Sequence, residues 1–142
     1  MIILDTNVIS EAMRDSPDAM VAAWLHNQSP SELATTAINL AELKYGFARL
    51  EPGRRRGELE ARFDSLVRRG FASRVFDFDA PAADVFAELA TMRQRVGRPL
   101  AGFDGLIAAI ASSRQLAIAT RDISGFEGCG VQLVNPWEPG AG

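Results

Sequence analysis

The sequence has a single cysteine, Cys129, so no intramolecular disulfide is available and a reducing compartment is expected. No apolar run approaches the roughly 18 residues that a membrane span needs. The start, Met1-Ile2-Ile3-Leu4-Asp5, carries no basic region, and its apolar stretch is too short for a signal peptide, so a cytoplasmic protein with no membrane attachment is expected. One histidine, His26, and the lone cysteine exclude a metal centre built from imidazoles or thiolates. Charged residues make up 23% of the chain, close to the globular average, which excludes wholesale disorder. No repeat or low-complexity tract is visible. A chain of 142 residues predicts one domain, residues 1–142, with 138–142 as a flexible tail. At this length about two-thirds of the unfolded surface is buried, enough for a core without staples.

Lysine is as scarce as cysteine: Lys44 is the only one, and the other 14 of the 15 basic residues are arginines. The net charge of −3 at first sight speaks against a polyanionic partner. Its distribution is uneven, however. Residues 44–74 hold nine basic residues and four acids, a balance of +5, which leaves −8 for the remainder. Such a segment can meet RNA or an acidic protein surface, or it can be a solvated helix with i,i+4 pairs such as Glu58–Arg62 and Asp64–Arg68. Arg54, Arg55 and Arg56 are the part that the second reading explains least.

The apolar pattern alternates between strands and helices. Ile2–Leu4 is a short, wholly apolar run, as in a strand buried on both faces. Further strands are expected at 33–36, 75–78, 116–119 and 131–134. Helices are expected after Asp5, after Ser16-Pro17-Asp18, over 38–50, over 54–69 (stopped by Gly70), from Asp79-Ala80-Pro81 to Gly97, and over 106–116. This order predicts an α/β/α sandwich around a central, mostly parallel sheet of about five strands.

Four acids stand where such a fold gathers chemistry. Asp5 directly follows the first strand, and Asp122 follows the fourth. Glu42 lies in the first turns of the helix after the second strand, and Asp104 at the start of the small-residue helix. In a parallel sheet the strand C-termini share one edge, where ligands bind. Carboxylates collected there repel one another, so either some take up protons or a cation binds. Hard oxygen donors suit Mg²⁺ or Mn²⁺. Each acid taken singly has a plainer reading: Asp104 as a helix N-cap, Glu42 as a partner for Lys44 or Arg49. Thr6, Asn7 and Thr120 offer hydroxyls and an amide that can orient a carboxylate. Arg121 is either a phosphate contact or an exposed loop charge.

These residues resemble the PIN-domain ribonucleases, and more narrowly the VapC/FitB-like toxins of prokaryotic toxin–antitoxin pairs. Four pieces match in order: Leu4-Asp5-Thr6-Asn7-Val8-Ile9-Ser10-Glu11; Ala37-Ile38-Asn39-Leu40-Ala41-Glu42-Leu43 followed by Gly46; Phe103-Asp104-Gly105-Leu106-Ile107-Ala108-Ala109; and Ala119-Thr120-Arg121-Asp122 with Phe126 and Asn135-Pro136-Trp137. The resemblance implies a divalent-metal-dependent endoribonuclease that leaves a 5′-phosphate and a 3′-hydroxyl. It gives Asp5, Glu42, Asp104 and Asp122 the catalytic and metal-binding roles, and Thr6, Asn7 and Thr120 supporting ones. It also implies a small cognate antitoxin, a homodimer, and higher assembly with the antitoxin. Many members of the family carry Asn at the position of Asp122 and an acid three residues later. Here that later residue is Gly125, and the chain resembles the FitB-like subset, in which the acid follows Thr-Arg directly. Phe103 stands where small residues are common and is expected to affect packing rather than chemistry.

Two other functions use acids at such an edge. A phosphotransfer enzyme of the haloacid-dehalogenase kind needs an Asp where Asn7 stands, and a late lysine that is absent. A Mg²⁺-binding receiver-like signalling domain needs a phosphorylatable Asp after a central strand, for which Asp77 and Asp79 are available, and again a lysine after the last strand. Arg54, Arg55, Arg56 and Arg121 remain candidates for contact with RNA or antitoxin. The apolar helices near 38–50 and 85–96 are candidates for the dimer contact.

Overall fold

Strand β1 (Ile2–Leu4) is central, and the rest of the chain is laid out on either side of it. The computed structural model describes residues 1–141, so the last residue of the expected 138–142 tail, Gly142, lies outside the described residues. β1 pairs in parallel with β2 (Leu33–Thr36) on one side and with β4 (Ala117–Ala119) on the other. β3 (Val75–Phe76) adds to β2 and β5 (Leu133–Val134) adds to β4, again in parallel, giving the order β3-β2-β1-β4-β5. Each strand return is made by helices: α1 (Thr6–Ala12) and α2 (Ala19–His26) after β1, α3 (Ala37–Ala48) and α4 (Arg54–Leu66) after β2, α5 (Ala80–Arg95) and α6 (Gly102–Ser113) after β3, and the short α7 (Ile123–Phe126) after β4.

Side chains of a strand alternate between its faces, and the core divides accordingly. Ile3, Ala34 and Ile118 point into one cluster with Leu89 of α5, Ile107, Ala108, Ile110 and Ala111 of α6, and Phe126. Leu4, Ala119 and Val134 point into the other, with Val8, Ile9, Val21, Trp24, Leu43, Phe63 and Phe71. The result is the three-layered α/β/α sandwich with a parallel five-stranded sheet that the alternation of elements predicts. Ala141 packs against the second cluster, so part of the 138–141 segment rests on the body of the fold. Among the described residues no helix is long and apolar enough to cross a membrane.

Several boundaries differ from the sequence expectation. The arginine-rich helix ends at Leu66 and widens into a π-turn, Val67–Phe71, that closes at Ala72 with φ 48°. The extra residue per turn seats Phe71 in the core, 2% exposed, so Gly70 lies within the turn rather than stopping a helix. Strands β3 and β5 keep only two residues each, because both are sheet edges with a single neighbour. Helix α6 begins at Gly102, before the apolar run at 106. Gly102 adopts φ 29°, a backbone angle that favours glycine, and this lets the helix start early. Asp104 therefore lies inside the first turn and does not cap the helix.

Candidate active site

Strand order reverses at β1: the chain runs outward through β2 and β3, then crosses back to β4. The crevice between β1 and β4, at the strand C-termini, is where a sheet of this kind binds ligands. Asp5 leaves β1 at that point. Its backbone N–H still donates to Ala119 O at 2.9 Å, while its side chain caps α1 by accepting from Thr6 N at 2.8 Å. Asp5 is 5% exposed, and its two oxygens are held separately. Oδ2 accepts from Thr120 Oγ1 at 2.8 Å, and Oδ1 accepts from Asn39 Nδ2 at 3.1 Å.

Thr120 and Thr6 join the other acids to this centre. Thr120 Oγ1 also accepts from Asn7 Nδ2 at 3.3 Å and from the Asp122 backbone N–H at 3.0 Å. Asn7 Oδ1 accepts from Arg121 N at 3.2 Å. Thr6 Oγ1 donates to Glu42 Oε1 at 3.0 Å and accepts from Asn39 Nδ2 at 3.0 Å. Asn39 is fully buried, and Thr36 fixes which way its amide faces, because Thr36 Oγ1 bonds Asn39 Oδ1 at 2.6 Å and so leaves Nδ2 to point into the site. Asn39 was not among the site residues expected from sequence. Its position three residues before Glu42, one helical turn away, is the signal that could have found it.

Asp122 caps the short α7: Oδ1 accepts from Gly125 N and from Ser124 Oγ, both at 3.2 Å. Its other oxygen turns toward Asp104. A Cβ placed on Gly125 would fall 2.6 Å from Asp122 Oδ2 and 3.1 Å from Asp104 Oδ2, so both carboxylates crowd the same glycine. Positions 122 and 125 thus face one place.

The four carboxylates feel one another. Burial pushes Asp104 up to about 6, with the charges of Asp5, Asp122 and Glu42 adding to it. Burial also raises Asp5, against the hydrogen bonds from Thr120, Thr6 and Asn39 and with a push from Asp122. Glu42 is raised by burial, against its bond from Thr6, and by the charge of Asp5. Among the described residues none of the four forms an ion pair, so the quartet is a concentration of negative charge. Its donors are all hard oxygens, the set that suits a divalent cation such as Mg²⁺. Among the described residues no three acids close on one point as a ready-made ligand cage.

A family profile described as PIN domain matches residues 2–127. The chain belongs to the PIN-domain family. Among relatives of this PIN domain, the VapC ribonuclease Y4jK of Sinorhizobium fredii is 41% identical over 139 residues, 98% of this chain and 99% of that protein. Toxin FitB of Neisseria gonorrhoeae is 39% identical, over 96% of this chain and 99% of its own length. The crystal structure of FitAcB from the same organism superposes with a TM-score of 0.91 at 38% identity, over 97% of this chain and 99% of that one. PIN-domain ribonucleases are in general divalent-metal dependent.

The remaining expected residues fall elsewhere. Arg54 pairs with Glu58 at 3.1 Å, Arg56 with Glu60 at 2.7 Å, and Arg55 with Asp15 at 3.8 Å, so the triple arginine of α4 is largely matched by acids of its own neighbourhood. The pairs anticipated at Glu58–Arg62 and Asp64–Arg68 are not those formed; Arg62 instead bridges to Asp15 at 2.9 Å. Asp79 caps α5 through Ala82 N at 3.1 Å and pairs with Arg114 at 3.7 Å, a structural role. Phe103 is 50% exposed.

Proposed function

We propose that this chain is the ribonuclease toxin of a toxin–antitoxin pair, a Mg²⁺- or Mn²⁺-dependent endoribonuclease that a small cognate antitoxin neutralises. The observation that carries this reading is the quartet Asp5, Glu42, Asp104 and Asp122, assembled from four separate segments at the β1–β4 crevice and held apart by Thr6, Asn39 and Thr120. A divalent cation bound there supplies neutralisation of phosphodiester charge and a lowered pKa for attacking water. Asp5 and Asp104 are the direct ligands in this proposal. Asp122 is a ligand directly or through water, and Glu42 is a ligand or the base that takes the proton of the attacking water.

The protein's own groups prepare this chemistry. Thr120 and Asn39 hold the Asp5 carboxylate in one orientation, so no reorganisation is needed when charge develops. Thr6 bonds one oxygen of Glu42 and leaves the other free. Asp104, pushed up to about 6 by burial and its acidic neighbours, would help hold the cation, whose charge would favour its ionised form. Exposed Met92 and Val96 on α5 and Tyr45 on α3 support a homodimer, with higher assembly when antitoxin is bound. A single domain acting in the cytoplasm completes the reading.

The test uses protein purified free of antitoxin. It should cleave structured RNA with Mn²⁺ or Mg²⁺ and stop on addition of EDTA. Asp5→Ala combined with Asp104→Ala should abolish cleavage while the circular dichroism spectrum is retained. Full activity of that double variant refutes the assignment.

A further inference from the structure

An RNA chain that reaches four carboxylates needs fixed positive charge beside them. The arginines of α4 are already matched by Glu58, Glu60 and Asp15. Arg121 is different. Among the described residues it forms no ion pair. Its guanidinium carbon instead lies 4.9 Å from the centre of the Trp137 ring.

The backbone of Arg121 is fixed at the heart of the site. Its N–H donates to Asn7 Oδ1, the residue before it bonds Asp5, and the residue after it is Asp122. Trp137 is fixed as well: its N–H donates to Asn135 Oδ1 at 3.0 Å, and its ring packs against the core cluster that contains Leu4, Ala119 and Val134. A cation–π contact does not use the N–H donors of the guanidinium. Those donors match two oxygens of one phosphate. A cation held in this way is oriented before substrate arrives.

We propose that Arg121, held over the Trp137 ring, binds a backbone phosphate of the RNA next to the scissile bond, and that Trp137 is the residue that positions it. The proposal rests on the ribonuclease reading above. An acidic protein segment is the competing occupant. RNA is favoured because the reaction itself must bring phosphates to this edge.

The experiment measures binding of a fluorescein-labelled, single-stranded RNA oligonucleotide by anisotropy with Mg²⁺ present, in an Asp104→Asn background that keeps the RNA intact. Arg121→Ala should weaken binding about tenfold, the loss of a charge-assisted bidentate contact at an exposed site. It should also flatten the slope of log K against log salt by about 0.7, one phosphate contact on a single strand. Trp137→Leu should weaken binding severalfold with the slope retained, because the charge remains but is no longer oriented. Trp137→Phe, which keeps a ring face and the fold, should recover most of the loss. In parallel, the otherwise unchanged chain is assayed for cleavage, so failure of the ribonuclease reading shows there and not in the binding ratios. Unchanged RNA affinity and slope in Arg121→Ala overturns the proposal. So does a variant that binds RNA normally but escapes inhibition by the antitoxin, which assigns Arg121 to the protein partner.

Discussion

Replacing Gly125 by alanine should separate activity from stability. Gly125 lies in α7 with an ordinary helical backbone, so alanine introduces no strain of its own and gains about 1 kcal/mol of helix propensity. Its new methyl would stand 2.6 Å from Asp122 Oδ2, whereas ordinary contact begins at 3.4 Å, so the carboxylate must retreat by about 0.8 Å. Asp122 is a flexible side chain and yields, loosening its bonds to Gly125 N and Ser124 Oγ. Loss of such a cap costs about 1 kcal/mol, which offsets the propensity gain. The melting temperature should therefore move by no more than about 4 °C. A displacement near 1 Å of a group that positions the reaction, as proposed for Asp122, lowers the rate on the order of 100-fold. RNA cleavage at saturating Mg²⁺ should fall by that factor. In an Asp122→Ala background the same substitution should cost far less, because the closest clash is gone and only the 3.1 Å approach to Asp104 Oδ2 remains. Wild-type turnover in Gly125→Ala, or additive losses in the double variant, refutes the reasoning.

Two further outcomes test the electrostatics and the buried network. Asp104 titrates near 6 in the fold against an ordinary 3.8, so the native state carries a disfavoured charge above that value and none below it. In EDTA, Asp104→Asn should match the unsubstituted chain in stability below about pH 4, gain on it as pH rises through about 6, and lose that advantage when Mg²⁺ is added; a pH-independent difference in urea midpoints contradicts the assignment. Asn39→Ala removes the donor to Asp5 and Thr6 and strands the Thr36 hydroxyl, and should lower unfolding free energy by about 1–3 kcal/mol together with activity. Urea denaturation and cleavage rates measured on the same preparation check both effects.

The sequence by itself determined the architecture and where the acids enter it. Short apolar runs alternating with amphipathic stretches specify a parallel sheet between helices, and in such a sheet the residue after each strand is delivered to one edge. Asp5, Glu42, Asp104 and Asp122 could be placed there because that rule needs only local pattern. What tertiary structure decided is which atoms meet. Asn39 reaches Asp5 across 34 positions of sequence, and Thr120 reaches it across 115. Nothing in local periodicity encodes that pairing; it follows from how helices and strands pack. The same holds for charge. A run of three arginines looked like an RNA grip, but helical spacing sets Glu58 and Glu60 one turn from Arg54 and Arg56 and packing adds Asp15 beside Arg55, while packing left Arg121 with an aromatic face instead of an acid. The glycine at 125 seemed to leave a ligand position empty, yet the fold brings the Asp122 carboxylate to its Cα. Composition counts charges and pattern assigns faces, but a site depends on distances between side chains far apart in the chain, and those exist only once the sheet has closed.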